Sequence, residues 1–235
     1  MAVENRGLDP VRKELEAVIR MGHRPAQVFD DWVALMFHAF QRDEPEYLGI
    51  VGKYRNDAPV GEREVDHMAN ALGALMLHMK ETGEEGLSPL FMEYAANPRT
   101  GQFCTPSSVA DMMARIAAPA DLPEEGPITV HDPACGAGVT LVAMARTQTA
   151  EQNDRTVFSG VDTDLTCVRM TALNLMFFNL NGWVVWGNAL SSEVRGAWQT
   201  VRNVILGGSL RPLDAEEARR LLAAGNGRKE REEQP

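Results

Sequence analysis

Residues 128–138 read ITVHDPACGAG, a β-branched run that leads directly into a turn of small residues. The run predicts a strand over 128–131, and the apolar stretch after the turn predicts a helix over 139–149. A Gly-x-Gly at such a turn lets a ligand approach the backbone, and the helix N-terminus offers unpaired N–H groups. Asp132 stands in front of these groups, so the turn suits a ligand with both an amine and a carboxylate.

Strands and helices alternate along the chain after this turn. Short β-branched or aromatic runs predict further strands over 156–161, 183–186 and 203–206, and an apolar stretch predicts a helix over 165–180. The β-α-β-α-β pattern predicts an α/β fold with a parallel sheet, whose ligands bind at the carboxyl ends of the strands. We expect strands one to four in the doubly wound order 3-2-1-4, a truncated sheet because few residues follow the fourth strand.

Two further polar residues fall at predicted strand ends. Asp162 ends the second strand, where a carboxylate can accept two hydrogen bonds from a ribose diol. Asp164 is better explained as the N-cap or first-turn acid of the next helix. Asn188 follows the third strand, where its amide can bond the edge of an adenine, although Asn after Gly is also a common turn signal.

The residues before this region follow helical periodicity. Apolar stripes predict helices around 8–19, 28–40 and 65–79, which together indicate a small helical bundle. We therefore predict an N-terminal helical domain at 1–100 and a cofactor-binding domain at 101–210. A C-terminal helix and a disordered charged tail are predicted at 211–235.

Composition narrows the function classes. The chain has 23 Lys and Arg against 33 Asp and Glu, a net charge of −10 that repels a phosphate backbone, so DNA contact needs a local basic groove or a partner. Three cysteines far apart argue against a disulfide framework and a zinc cluster, and no metal is predicted. No membrane span or secretory signal is recognisable, which predicts a cytoplasmic protein without membrane contact.

Four ordered motifs carry a family resemblance: GQFCTP at 101–106, HDPACGAG at 131–138, GVDTD at 160–164 and GNAL at 187–190. Together they resemble the N6-adenine DNA methyltransferases of the type I restriction-modification methylation-subunit kind, especially the short forms carried by plasmids and integrative elements. The resemblance implies a Rossmann-like, S-adenosyl-L-methionine-dependent methyltransferase fold. It also implies DNA as substrate and is compatible with a specificity or partner subunit and with a homodimer.

The resemblance implies a role for each matching position in binding S-adenosyl-L-methionine. Thr105 and Pro106 would lie beside the methionine moiety, the loop from Asp132 would surround its amino and carboxylate groups, and the two later motifs would hold the ribose and the adenine. The implied cofactor-binding residues are Gln102, Thr105, Pro106, Asp132, Pro133, Ala134, Gly136, Gly138, Asp162, Thr163, Asn188, Ala189 and Leu190.

The chain departs from the family at the acceptor site. The family's Asn or Asp followed by Pro-Pro and an aromatic residue, which holds a flipped adenine, should follow the fourth strand. This sequence contains no Pro-Pro and reads NVILGGSL at 203–210. The residues predicted to contact the acceptor amine there are Asn203, Gly207, Gly208 and Ser209, with Trp198 as a stacking residue; a plain glycine turn is the alternative.

Three functions follow from these observations. The first is an adenine-specific DNA methyltransferase, active alone or with a partner that supplies DNA contacts. The second is a catalytically inactive cofactor-binding subunit that assists a complete enzyme, which the missing tetrapeptide and the acidic composition favour. The third is a methyltransferase that acts on a substrate other than DNA.

Overall fold

The computed structural model describes residues 6–96, 102–119, 125–202 and 208–226 of the chain. It forms two compact units, Met1–Cys104 and Thr105–Pro235. Each unit has its own secondary structure and core and is considered separately below.

The first unit is helical. After a 3₁₀ turn at Arg6–Leu8, its helices are α1 (Asp9–Arg20), α2 (Pro25–Gln41), α3 (Glu44–Val51), α4 (Glu64–Thr82) and α5 (Leu87–Tyr94). The three apolar stripes of the sequence lie on α1, α2 and α4, as predicted. The short helices α3 and α5 were not predicted, since eight residues give too little periodicity to recognise.

Aromatic side chains fill the core of the helical unit. Phe29, Trp32 and Phe37 of α2 are almost fully buried, and Phe91 of α5 packs against Phe29. The indole Nε1 of Trp32 donates a 3.0 Å hydrogen bond to the carbonyl oxygen of Met68 in α4. This bond satisfies a buried donor and fixes α2 against α4.

The second unit is a sheet covered by helices. Its elements are α6 (Ser107–Ala117), β1 (Ile128–Asp132), α7 (Val139–Arg146), α8 (Ala150–Arg155), β2 (Thr156–Asp162), α9 (Leu165–Phe177), β3 (Gly182–Asn188), β4 (Glu193–Val201), β5 (Ser209–Pro212) and α10 (Ala215–Asn226). The predicted long helix at 139–149 is therefore two shorter helices, separated by a capping box at Thr149 that starts α8.

The sheet is mixed, with the order β1-β2-β3-β4-β5. The first three strands are parallel, which confirms the α/β prediction for this part of the chain. The expected order 3-2-1-4 is wrong beyond them: β4 returns antiparallel beside β3, and β5 pairs antiparallel with β4. Residues 203–206, the predicted fourth strand, lie outside the described residues.

A tight turn explains the antiparallel return. Asn188 pairs with Glu193, so only the residues between them connect β3 to β4, and a parallel crossover needs a dozen or more. The sequence does not predict β4, because polar and apolar residues alternate only in part along EVRGAWQTV.

Helices cover both faces of this sheet. Helix α9 lies on the face of Gly160 and Gly182, where a Cβ would lie 3.3 Å from Thr171 and 2.9 Å from Leu175, respectively. Helix α10 lies on the opposite face, where Ala218 joins a buried cluster with Val161, Trp183, Val185 and Ala197. The described part of the chain contains no helix long and apolar enough to cross a bilayer. It also contains no cluster of three potential metal ligands.

Candidate functional site

The predicted strand-end residues meet at one edge of the sheet. Parallel pairing aligns Asp132 of β1 with Gly160 of β2, and Asp162 of β2 with Trp186 of β3. The carboxyl ends of these strands, with Asp132, Asp162 and Asn188, therefore lie side by side. Pro133, Ala134, Gly136, Gly138, Thr163, Ala189 and Leu190 follow these strand ends directly.

The turn after β1 is held by the Asp132 carboxylate. Its Oδ1 accepts a 3.0 Å hydrogen bond from the Ala134 amide, and its Oδ2 accepts one from the Thr140 hydroxyl on α7. Both oxygens are thus oriented by the turn that they face. Sequence reasoning missed Thr140, whose only signal is a hydroxyl in the first turn of the helix after the glycines.

The glycines of the turn have different roles. Gly138 is the N-cap of α7 with φ of 78°, and a Cβ there would lie 3.0 Å from Thr171, so glycine is needed for both conformation and packing. Gly136 also has a positive φ, 54°, but a Cβ there would meet nothing within 4 Å. Space for a ligand therefore lies beside Gly136.

The N-terminus of α7 carries donors suited to an anion. Its N-cap, Gly138, has no side chain to accept a hydrogen bond from the first turn. Backbone N–H groups at such a position favour a negatively charged ligand group. A cationic ligand group is favoured beside the Asp132 carboxylate. The turn therefore offers a carboxylate to the ammonium group of an amino acid and N–H groups to its carboxylate.

Cys135 packs beneath this turn. Its side chain is buried, its amide donates a 3.0 Å hydrogen bond to the carbonyl oxygen of Val161, and burial raises the pKa of its thiol. A Cβ on Gly160 would lie 2.8 Å from its sulfur. The Thr171 hydroxyl of α9 also donates to this sulfur, so Cys135 is a small packing residue between β2 and α9, held as a neutral thiol.

Asp162 connects two loops of the site. Its Oδ2 accepts a 2.9 Å hydrogen bond from the Gly136 amide, and its Oδ1 accepts one of 2.9 Å from the Asp164 amide. Asp164 instead caps α9 by accepting hydrogen bonds from the amides of Thr166 and Cys167 at 2.8 and 3.2 Å. The two acids thus have separate structural tasks, and the N-cap interpretation of Asp164 is confirmed.

Asn188 forms the turn between β3 and β4. Its Oδ1 accepts hydrogen bonds from the amides of Leu190 and Ser191, at 2.9 and 3.3 Å. The turn-signal interpretation therefore holds, and the side-chain NH₂ is the group through which Asn188 would bond an adenine. Leu190 is 99% exposed at the tip of this turn.

Trp186 borders the same edge and was not predicted as a site residue. Its indole Nε1 donates a 3.1 Å hydrogen bond to the carbonyl oxygen of Thr163, and the Arg195 guanidinium lies 5.7 Å from its ring centroid. The only sequence signal is its position on β3, two residues before Asn188 and therefore on the same face of the sheet. These contacts fix an aromatic ring beside Asp162.

The predicted residues of the GQFCTP motif lie before α6. Gln102 belongs to the first unit, whereas Thr105 and Pro106 open the second unit. Pro106 is the N-cap of α6, and α6 packs against α7 through the buried residues Ala110 and Ala114. The motif thus leads into the helix that flanks the glycine turn.

The predicted acceptor residues do not join this edge. Asn203 and Gly207 lie outside the described residues. Ser209 pairs with Val201 next to the amino end of β3, about 20 Å along the strand from Asn188. A Cβ on Gly208 would lie 2.5 Å from Met176 of α9, so Gly208 is a close packing position rather than an open loop.

Trp198 is also misplaced for stacking on an acceptor base. It lies in the middle of β4, paired with Val184 and Pro212. The prediction that Gly208, Ser209 and Trp198 contact the acceptor is therefore corrected. The antiparallel return of β4 carries them away from the strand ends.

Two solved structures are similar to the chain at low identity. One is a protein from Listeria monocytogenes assigned as a class I S-adenosylmethionine-dependent methyltransferase, with 14% identity over 77% of this chain and 53% of that one and a TM-score of 0.46. The other is the methyltransferase subunit of a type I restriction-modification system from Streptococcus thermophilus, with 13% identity over 74% and 56% and a TM-score of 0.36. The chain spans little more than half the length of each.

No curated protein matches the chain. The N-6 DNA Methylase family model, in contrast, matches residues 89–206, about half of the sequence. This region contains the glycine turn and the three adjoining strand ends described above. The chain therefore belongs to the N-6 DNA Methylase family.

Proposed function

We propose that the chain binds S-adenosyl-L-methionine at the carboxyl ends of β1, β2 and β3 and serves in N6-methylation of adenine in DNA. The observation that supports this most is the convergence of Asp132, the glycine turn and Asp162 inside the region matched by the family. When bound, S-adenosyl-L-methionine supplies the methyl group.

The residues of the turn fit the methionine end of this cofactor. Asp132, fixed by Ala134 and Thr140, offers a carboxylate to an ammonium group, and the first turn of α7 offers N–H groups to a carboxylate. The open space beside Gly136 lets such a ligand approach the backbone. Under this proposal these groups bind and orient the ligand.

The nucleoside end fits the next two strand ends. Each oxygen of Asp162 accepts one backbone hydrogen bond and retains a lone pair for a ribose hydroxyl. The Asn188 NH₂ and the Trp186 ring would border the adenine. Under this proposal Thr105, Pro106, Ala189 and Leu190 complete the cofactor site.

The experiment is a binding measurement followed by an activity measurement. Calorimetry with S-adenosylhomocysteine should show one site per chain, and transfer of a labelled methyl group to unmethylated duplex DNA should yield N6-methyladenine. Absence of S-adenosylhomocysteine binding would overturn the proposal. If S-adenosylhomocysteine binds but the methyl group is transferred to protein and not to DNA, the proposed cofactor site stands and the proposed substrate is wrong.

A second candidate function is a cofactor-binding subunit that depends on another polypeptide for its acceptor site. One observation favours it: Gly208 and Ser209, predicted to hold the acceptor, lie at the opposite end of the sheet from Asp132 and Asp162. The net charge of −10 also favours a partner that contacts DNA. Such a subunit would bind S-adenosylhomocysteine alone but would transfer methyl groups only with its partner.

A further inference from the structure

We infer that the free edge of β1 and the adjoining apolar face of α6 form one docking surface for a β-strand of a partner polypeptide, running parallel to β1. This inference rests on the proposed function for the choice of partner. The surface itself is argued from the second unit alone.

The described residues leave one edge of β1 without a partner strand. Within the described ranges β1 pairs with β2 on one side and is the first strand of the sheet order. Its sequence, ITVHD, is β-branched and contains no proline or lysine, the residues that commonly block an edge. The backbone groups on the outer side of β1 are therefore a template for another strand.

The other edge of the same sheet is protected. β5 is only four residues long and contains Pro212, which has no N–H to donate. The Arg211 guanidinium beside it donates hydrogen bonds to Gln199 and Glu217. The sheet thus blocks strand addition at β5 and permits it at β1.

Helix α6 has an exposed apolar face. Val109, Met112, Met113 and Ile116 recur at helical spacing on one side and are 39, 55, 48 and 76% exposed. Ala110 and Ala114, on another side of the helix, are buried, and α6 packs against α7. An apolar stripe of this kind on a helix that already has a buried side is typical of an interaction surface.

The stripe lies next to the open edge. On this face of the sheet α9 contacts β2 and β3, α7 contacts β1 and β2, and α6 packs against α7. Helices α9 and α7 thus follow the order of the strands that they cover, and we infer that α6 continues this order and would cover the next strand after β1. A strand there would pair with β1 and bury the stripe of α6 at the same time.

Val201 and Ser209, which flank the predicted fourth strand, pair with each other on β4 and β5, three and four strands away from β1. Val201 is therefore about 14 Å from β1 in the hydrogen-bonding direction, on the far side of β3. We assign the surface to a separate polypeptide for this reason. A second copy of the chain is disfavoured because each copy carries a net charge of −10.

A partner strand parallel to β1 would also complete the site. Its carboxyl end would lie beside Asp132, at the edge where the cofactor is proposed to bind. The loop after that strand could then supply the acceptor-binding residues that Gly208 and Ser209 do not. A second copy pairing by two-fold symmetry would instead run antiparallel and would supply no such loop.

The probe is a synthetic peptide, acetyl-KTVIVNPPYGK-amide, which joins an aliphatic strand to the Asn-Pro-Pro-aromatic sequence. Fluorescence anisotropy measures its binding to the full chain, and hydrogen exchange locates it. We expect binding, with slower exchange of the amides of 128–132. A control peptide with proline in place of its isoleucine should not bind, because it cannot pair along its length.

Variants of α6 test the second half of the surface. Met112→Lys and Ile116→Lys should each weaken peptide binding by about tenfold or more, because a charge replaces the apolar contact. Leu77→Lys in α4 is the matched control, since Leu77 and Met112 are equally exposed at 55%, and it should leave binding unchanged. All three positions are on the surface, so the variants should fold.

Three results would overturn the inference: no peptide binding, binding insensitive to both α6 variants, or slower exchange at β5 rather than β1. A dimer in sedimentation that Ile116→Lys dissociates would assign the surface to a second copy and overturn it as well. S-adenosylhomocysteine binding is measured separately. If it persists while the peptide fails, only this inference falls; if it is absent while the peptide binds, the proposed function falls and the surface remains.

Discussion

The Gly136 amide donates a 2.9 Å hydrogen bond to Oδ2 of Asp162, 26 residues later in the chain. This bond joins the turn after β1 to the end of β2. The same carboxylate accepts a bond from the Asp164 amide, so one side chain sets the separation of two loops. A residue predicted to bind a ligand is therefore also part of the framework that shapes the site.

Replacing Asp162 should separate its two tasks. Asp162→Ala removes both backbone hydrogen bonds and the charged acceptor, and it should weaken S-adenosylhomocysteine binding by about 1.5–3 kcal/mol. Asp162→Asn retains one oxygen acceptor and should lose less. Calorimetry measures both affinities. Unchanged affinity in the alanine variant would remove Asp162 from the site.

Asp164 provides the contrasting variant. Its side chain caps α9 through the amides of Thr166 and Cys167, so Asp164→Ala should lower the free energy of unfolding by about 0.5–2 kcal/mol. Affinity for S-adenosylhomocysteine should stay close to that of the wild type. Urea denaturation and calorimetry on the same sample test both statements. A large loss of affinity with unchanged stability would contradict the assignment.

The sequence predicted the first three strands and their ends because local patterns determine them. The β-branched runs before Asp132 and Asp162 and the glycines of the first turn are strong signals for a strand-turn-helix unit. Parallel pairing then brings their ends together without further information. The acids of the site could therefore be named before the structure was known.

The later strands could not be predicted in the same way. The direction of β4 depends on the turn made by Asn188 with the amides of Leu190 and Ser191, and the GNAL sequence fits a turn and a ligand loop equally well. The Thr140 hydroxyl and the Trp186 indole act through partners elsewhere in the chain. Such tertiary contacts leave no periodicity in the sequence.

Thr140 should position Asp132. Thr140→Val keeps the shape but removes the hydroxyl that donates to Oδ2 of Asp132, leaving that carboxylate free to turn away from the site. We expect weaker S-adenosylhomocysteine binding by about 1 kcal/mol or more, and recovery in Thr140→Ser, which restores the donor. Calorimetry on the three proteins decides. Equal affinities would show that the Ala134 amide alone orients Asp132.

Gly160 and Cys135 should be coupled. A Cβ at position 160 would lie 2.8 Å from the Cys135 sulfur and 2.9 Å from its Cβ, so Gly160→Ala should cost about 1–3 kcal/mol of stability. Cys135→Ala removes the sulfur but leaves the second contact, and the double variant should recover part of the loss. A double-mutant cycle in urea measures this coupling. Additive effects would mean that the strain is relieved elsewhere.

His131 should make stability depend on pH. It is half-buried on β1, with Nδ1 2.8 Å from the Ser159 hydroxyl and its ring 6.0 Å from that of Trp183. Burial lowers its pKa, and the nearby Asp132 charge only partly opposes this shift. The folded chain therefore binds a proton less readily than the unfolded chain, in which histidine has a pKa of about 6.5.

The contribution of His131 to stability is consequently complete above about pH 6.5 and declines as the pH falls through that value toward its lower folded-state pKa. His131→Gln removes the titrating group while keeping a polar side chain, so its unfolding free energy should fall less than that of the wild type between about pH 7.5 and about pH 5.5. Burial also lowers the pKa of His78 in α4, so His78 should likewise reduce the free energy of unfolding as the pH falls. The variant His78→Gln should remove this second contribution independently of His131. Urea denaturation at both pH values measures the slopes. If His131→Gln loses as much stability as the wild type on acidification, His131 does not titrate differently in the folded chain, and the acid sensitivity belongs to other groups.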